Sequence, residues 1–221
     1  MKTLSFSQKG VTLIEVMIAM TLAIIIILAM LRVYVTTGKV AAESSLGAET
    51  DSTLMLGLIS LDKMMQSIGF GATTPLVYGT NIAVLATDGT QLARNTAGPI
   101  FVWKTGSTCQ ALINEADGLN LYGGSAGYTC STPTKPGTGV SKTSFSNIKS
   151  TPIKNTTNRV GEYEFKVKDT ANCTPFGIKK SNTAIGGLTG KYLVEITAYS
   201  YAASSDSTPS LIRNTTCLLN P

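Results

Sequence analysis

The sequence predicts an α+β protein: one long N-terminal helix packed on a head built around an antiparallel β-sheet. Three observations predict it. Val11–Leu31 (VTLIEVMIAMTLAIIIILAML) is apolar on every side, with Thr12, Glu15 and Thr21 its only polar side chains. Leu54, Leu58, Leu61, Met65 and Ile68 then recur at 4-3-4-3 spacing, an apolar stripe on one helical face. Short β-type runs follow the helix instead of alternating with further helices, which is the α+β order.

The first segment is defined by solvent. About 21 residues at 1.5 Å each give a helix of about 31 Å, enough to cross the hydrocarbon of a bilayer. Ile24–Ile27 would favour a strand in water. In lipid the backbone must satisfy its own hydrogen bonds, so a single segment becomes a helix. A cleaved secretory signal would end in small residues, and Arg32-Val33-Tyr34 is a poor site of that kind. Lys2 and Lys9 favour a cytoplasmic location for the short N-terminal side. An ordinary anchor leaves Glu15 unexplained, because a carboxylate within a membrane helix costs about 2.5–3.5 kcal/mol on insertion scales.

Gly10-Val11-Thr12-Leu13-Ile14-Glu15, set between a short basic leader and a long apolar run, resembles the cleavage and methylation signature of type IV prepilins and type II secretion pseudopilins. The resemblance implies the pilin fold and a membrane prepilin peptidase that cuts between Gly10 and Val11. That enzyme then methylates the new Val11 amine. The family usually has phenylalanine at this first mature position, and here it is valine. Glu15 becomes the fifth mature residue. In a bundle of such helices it meets the Val11 ammonium of a neighbour, removing two charges from hydrocarbon together and fixing axial register. Residues 1–10 are then the leader, 11–70 the long helix with 11–31 as membrane and filament-core segment, and 71–221 a periplasmic β-rich head.

The helix is expected to run from near Val11 to Ile68, about 87 Å at the same rise. Gly38, Gly47 and Gly57 each weaken it by about 1 kcal/mol relative to Ala and are the places where it would bend or fray. No proline occurs between Val11 and Ile68, although many pilins have one. Gly69-Phe70-Gly71 supplies the stop. Leu58–Ala72 (LISLDKMMQSIGFGA) is also similar to PilW-type minor pilins through Asp62, Gly69, Phe70 and Gly71, with the usual basic neighbours reduced to Lys63.

In the head, Asn81–Thr87 and Pro99–Lys104 are compact apolar runs. Val160–Lys168 alternates Tyr163, Phe165 and Val167 with Glu162, Glu164, Lys166 and Lys168. Tyr192–Tyr201 places Tyr192, Val194 and Ile196 on one face, and Leu211-Ile212 begins a last short strand. Ser131–Asn158, rich in Ser, Thr, Gly, Pro and Lys, reads as a long exposed loop.

Four cysteines beyond a membrane segment suggest disulfides in an oxidising compartment. Three pairings are possible. The non-crossing one, Cys109 with Cys130 and Cys173 with Cys217, is preferred; each bridge would stabilise by about 3–4 kcal/mol. The second bridge also resembles the C-terminal disulfide-bounded region of many pilins.

Catalysis is not expected. Histidine is absent, so chemistry that needs imidazole is excluded. There is no P-loop, no GxSxG and no Gly-rich dinucleotide loop after a strand, and no cofactor is implied. Glu162 and Glu164 read as a solvated strand edge, and Asp117, Asp169 and Asp206 as isolated loop acids without calcium-loop spacing. Asn155-Thr-Thr and Asn214-Thr-Thr match a glycosylation sequon that carries little weight beside a prepilin signature. The charge of +5 comes from 18 basic and 13 acidic residues. These are scattered, with Lys179–Lys180 the only adjacent pair, so nucleic acid is not an expected partner.

The resemblance therefore implies a minor pilin that helps initiate or cap a type IV pilus. Its partners are the prepilin peptidase, other minor pilins, the major pilin and a tip adhesin. It would sit in the bacterial inner membrane before assembly and in a surface fibre afterwards. The alternatives are a GspJ-like minor pseudopilin of a type II secretion system, and a tip adhesin or DNA-uptake module.

Overall fold

Helix α1 (Leu13–Gln66) opens the ordered architecture of the chain. The computed structural model describes residues 10–69, 74–146, 151–152, 159–174, 190–200 and 211–218. The chain divides into two compact units, Met1–Ser45 and Leu46–Pro221. In the first, every described residue belongs to α1 or to its start. Gly38, Gly47 and Gly57, expected as points of bending, all lie inside the continuous helix.

Eleven strands follow among the described residues: β1 (Ile82–Leu85), β2 (Ile100–Thr105), β3 (Thr108–Glu115), β4 (Gly118–Tyr122), β5 (Tyr128–Thr129), β6 (Lys142–Ser146), β7 (Thr151–Pro152), β8 (Arg159–Val160), β9 (Tyr163–Cys173), β10 (Gly190–Tyr199) and β11 (Leu211–Cys217). They form two sheets. The first has the order β1-β2-β3-β4-β6, with β5 added to β3; the second has β11-β10-β8-β7, with β9 also on β10. Among the described residues, pairing between these strands is antiparallel except where Tyr199 of β10 meets Val160 of β8, and an isolated parallel bridge also joins Tyr78 to Ile82. The architecture is α+β, and the head holds two antiparallel sheets where one was expected. Gly98 and Phe165 exchange backbone hydrogen bonds of 2.9 and 2.8 Å, joining the approach to β2 with β9.

The predicted stripe carries the packing of the second unit. Leu54, Leu58, Leu61, Met65 and Ile68 are all buried, with Leu54, Leu61 and Met65 at 0% exposure. They join one core with Phe101, Trp103 and Leu112 of the first sheet and Tyr163, Phe165, Val194 and Ile196 of the second. Burying each such side chain is worth roughly 1.5–3 kcal/mol relative to leaving it in water. The helix stops as Ser67 and Ile68 close short i→i−3 bonds and Gly69 takes φ 88°. Phe70 and Gly71, the rest of the expected stop, lie outside the described residues.

Gly57 has a packing reason. A Cβ there would lie 2.7 Å from the hydroxyl of Tyr163, a fully buried side chain that donates to Ser146 Oγ. The glycine lets an aromatic ring stand directly under the helix. Gly190 does the same for a disulfide. Cys173–Cys217 joins β9 to β11 across β10, and a Cβ on Gly190 would meet both sulfurs and the Leu218 carbonyl. The other bridge, Cys109–Cys130, ties β3 to the chain after β5.

Several expectations are corrected. The first sheet is buried on both faces: Ile82 and Val84 enter the main core, whereas Ala83 and Leu85 join a second cluster with Val102, Cys109 and Ala111. That explains why β1 and β2 read as unbroken apolar runs. β3 and β4 were not foreseen. Their signals are turns: Gly106-Ser107 between β2 and β3, with Gly106 at φ 62°, and Ala116-Asp117 before Gly118. Ser131–Asn158 is not one loop. It contains β6 and β7, its start is held by Lys104 Nζ on the Ser131 carbonyl (2.6 Å), and residues 147–150 and 153–158 lie outside the described residues. β6 (KTSFS) exposes most of its side chains, which leaves it almost no apolar pattern to detect. Glu162 lies just before β9, so the expected acidic pair does not share that strand. Asp117 and Asp169 are not isolated: they pair with Lys142 at 2.8 Å and Arg94 at 2.6 Å, while Asp206 is outside the described residues.

The Lys142 cluster fastens β6 to the β3–β4 hairpin. Lys142 Nζ also reaches Glu115 Oε2 at 2.6 Å, and the Tyr122 hydroxyl donates to Glu115 Oε1 at 2.7 Å. Burial pushes the Glu115 carboxyl up, but the Lys142 and Tyr122 hydrogen bonds outweigh it and leave it below its ordinary range. Hydrogen bonds from Lys142 and Asn120 lower Asp117. Burial, then the Glu115 bond, push Tyr122 up to about 12.

Two predictions concern these features. Gly57→Ala should lower the melting temperature of the full chain in detergent by an amount equivalent to about 1–3 kcal/mol, despite alanine's better helix propensity. Gly38→Ala, with nothing within 4 Å of its Cβ, should leave that transition in place. Carboxylates held below their unfolded values stabilise the fold at higher pH, and that contribution is lost as pH falls through the folded values. Wild-type stability should therefore fall between about pH 5 and pH 3, and more shallowly in Lys142→Gln; equal slopes in denaturant melts would rule out the cluster as the cause.

Candidate processing and assembly site

The residues singled out near the N-terminus meet at the first turn of α1. Gly10 and Val11 are exposed and precede the helix, and a Cβ on Gly10 would touch nothing within 4 Å. A protease needs an accessible peptide bond at its cut site, and among the described residues the Gly10–Val11 bond is exposed and lies before the helix.

Thr12 is the N-cap. Its carbonyl accepts the first helical bonds, from Glu15 N at 3.1 Å and Val16 N at 3.3 Å. Glu15 Oε2 accepts from both the Thr12 backbone N–H and the Thr12 hydroxyl, each at 3.3 Å. This is half of a capping box, with the acid at the third helical position and turned back on the cap. The carboxylate also lies at the positive end of the helix dipole. The sequence reading assigned Glu15 an intermolecular role and missed this local one; the signal was the T-x-x-E spacing of Thr12 and Glu15.

Beyond Glu15 the helix surface is a sleeve of apolar side chains. Leu13 is 81% exposed and Ile14 67%, and the isoleucines 24–27 are all more than half exposed. Thr21, the one other polar side chain of the sleeve, returns its hydroxyl to the Ile18 carbonyl at 2.8 Å, so no hydroxyl hydrogen faces outward unpaired. This helix is long and apolar enough to cross a membrane. A surface of this kind is far larger than the apolar patches water-exposed monomers carry, and it needs lipid or other helices around it.

Of the other residues expected to matter, the four cysteines are joined as Cys109–Cys130 and Cys173–Cys217. They lie in the second unit. Asn214 of the second sequon is half-buried and donates to the Leu58 carbonyl at 3.4 Å. Asn155, Lys2 and Lys9 lie outside the described residues. No group of three or more metal-ligating side chains is gathered among the described residues.

Residues 5–31 match the prokaryotic N-terminal methylation motif. The match takes in Gly10, Val11, Glu15 and the whole apolar run, and it ends short of Leu58–Ala72, where the resemblance to PilW-type minor pilins was seen. No curated protein and no solved structure matches the chain. Gly10→Ala leaves the helix and its cap untouched sterically, so its effect reports on processing alone. It should accumulate a precursor about ten residues too heavy by intact mass, and a normally trimmed product would remove Gly10 from the site. The motif, the exposed junction before α1 and the apolar sleeve together mark this N-terminus as a type IV pilin-like signal, the kind that prepilin peptidase processes for assembly with other pilins.

Proposed function

We propose that this chain is a minor pilin, a structural subunit and not an enzyme, that helps initiate or cap a type IV pilus. It waits in the inner membrane with its head in the periplasm and then passes into a surface fibre. The observation that carries the reading is Glu15: one carboxylate, the fifth residue after the Gly10–Val11 junction, in the stretch of α1 up to Leu31 that is otherwise coated almost wholly in apolar side chains.

Before assembly the carboxylate rests on its own Thr12 cap. Those bonds, at 3.3 Å, are long and leave Glu15 free to take a better partner. Cleavage creates an ammonium at Val11, and the amine of a neighbouring subunit offers a charge-assisted bond in place of the weak cap. A slip of the neighbour by one residue would lose that bond, so the exchange sets axial register. The similarity of Leu58–Ala72 to PilW-type proteins, and the chain's length, favour a minor subunit. A minor pseudopilin of a secretion system would use the same N-terminus. Secretion genes beside this one, instead of several small prepilin genes and a large tip protein, would support that reading.

Mass analysis of the native N-terminus should find a chain starting at methylated Val11. Glu15→Ala should be trimmed as usual yet fail to enter fibres, whereas Thr12→Val should still enter them because it removes only the hydroxyl, one of the two local donors. Normal incorporation of the Glu15→Ala chain would overturn the register argument.

A further inference from the structure

After β5 the chain crosses the outer face of the first sheet. That face carries the second apolar cluster: Ala83 and Leu85 of β1, Val102 of β2, and Cys109 and Ala111 of β3, all at or below 1% exposure. Tyr128 and Cys130 pack against it. Contacts then fix the path of residues 131–140. The Thr132 carbonyl lies 3.8 Å from Cys109 Sγ, on β3. Lys104, on the same face of β2 as Ile100 and Val102, donates to the Ser131 carbonyl at 2.6 Å. Lys135 donates to the carbonyl of Thr87, just past β1, at 2.8 Å, and its Cβ lies 3.3 Å from where a Cβ on Gly89 would stand. Pro133, between these anchors, is buried. The segment thus passes β3, β2 and β1 in turn.

Little holds it there except one bridge. Among the described residues no strand lies between Thr129 and Lys142, so no ladder ties the segment to the sheet. The two lysine bonds are exposed. The Tyr128 hydroxyl, on the Thr134 carbonyl at 2.6 Å, joins the segment only to its own start. A few such bonds offset little of the entropy lost in ordering a segment of this length. Cys109–Cys130 is its covalent tie. Cys173–Cys217 has a different setting: it joins β9 and β11, which β10 already holds by pairing with both.

We propose that Cys109–Cys130 is the latch of a strap. Oxidation closes residues 131–140 over the second cluster; with two thiols in place of the bridge, the strap lifts and bares that cluster while the second sheet stays folded. The step is thiol–disulfide exchange with a disulfide donor. Cys130, part-exposed even in the closed form, meets the donor first. Its thiolate bonds to one donor sulfur, and the other leaves as a thiol. The Cys109 thiolate then displaces the remaining donor sulfur from Cys130. The cysteine pair loses two electrons and two protons, and the donor departs as a dithiol.

Cys130→Ala in the full chain in detergent, with Cys173–Cys217 intact, tests the latch. A maleimide should label the Cys109 thiol within about tenfold of its rate in the denatured chain, because the strap no longer shields it. Slower labelling would mean that the strap stays closed without its bridge, and would overturn the proposal. Hydrogen exchange on the same sample reads the rest of the fold: the β9 and β10 amides should keep their wild-type protection. Loss of that protection would also overturn it, since the bridge would then hold the whole head together and not a strap.

Discussion

Burial of the Leu54–Ile68 stripe is the constraint on which the second unit depends. One helical face supplies Leu54, Leu58, Leu61 and Met65 to a core shared by both sheets, and Phe101 and Phe165, one from each, meet there with centroids 5.9 Å apart. Neither sheet could bury its inner face without the helix. The packing is tight enough that position 57 has to be glycine-sized so that Tyr163 can stand beneath it. The helix-weakening residue is therefore part of the core's shape, and its propensity cost is offset by what packs against it.

The same helix meets a different requirement at its start. Around Leu13 to Ile27 no face is preferred, because its surroundings are apolar on every side, and the chain answers with a uniform sleeve. One carboxylate interrupts it. In the single chain Glu15 is tolerable because its cap position gives it two donors, both at 3.3 Å. A charge that were fully satisfied locally would have no reason to seek a partner, and one wholly unsatisfied would resist insertion. The cap geometry stands between these limits.

The two disulfides and the Lys142 cluster serve the sheets' margins. Cys109–Cys130 fastens the chain after β5 to β3, Cys173–Cys217 spans β10, and Lys142 clamps the edge strand β6 to the hairpin beside it. All three act where strand pairing alone is weakest. β11 is held to α1 by two side chains, Asn214 on the Leu58 carbonyl and the Thr216 hydroxyl on Asp62.

What could be read without the structure follows one rule: a pattern is legible when a residue's neighbours are set by its own segment. The apolar sleeve, the 4-3-4-3 stripe, the alternation through Tyr163, Phe165 and Val167, and the Gly10–Glu15 motif are all local, and they gave the α+β class and the processing signal. Residues whose role depends on distant chain were opaque. β3, β4 and β6 are strands because of what they pair with, the first sheet is buried on two faces that no single strand reveals, and Gly57 and Gly190 matter only for Tyr163 and the Cys173–Cys217 bridge. Long-range contact decides which acid finds a lysine, since side chains far apart in sequence come within hydrogen-bond reach only after the core has closed.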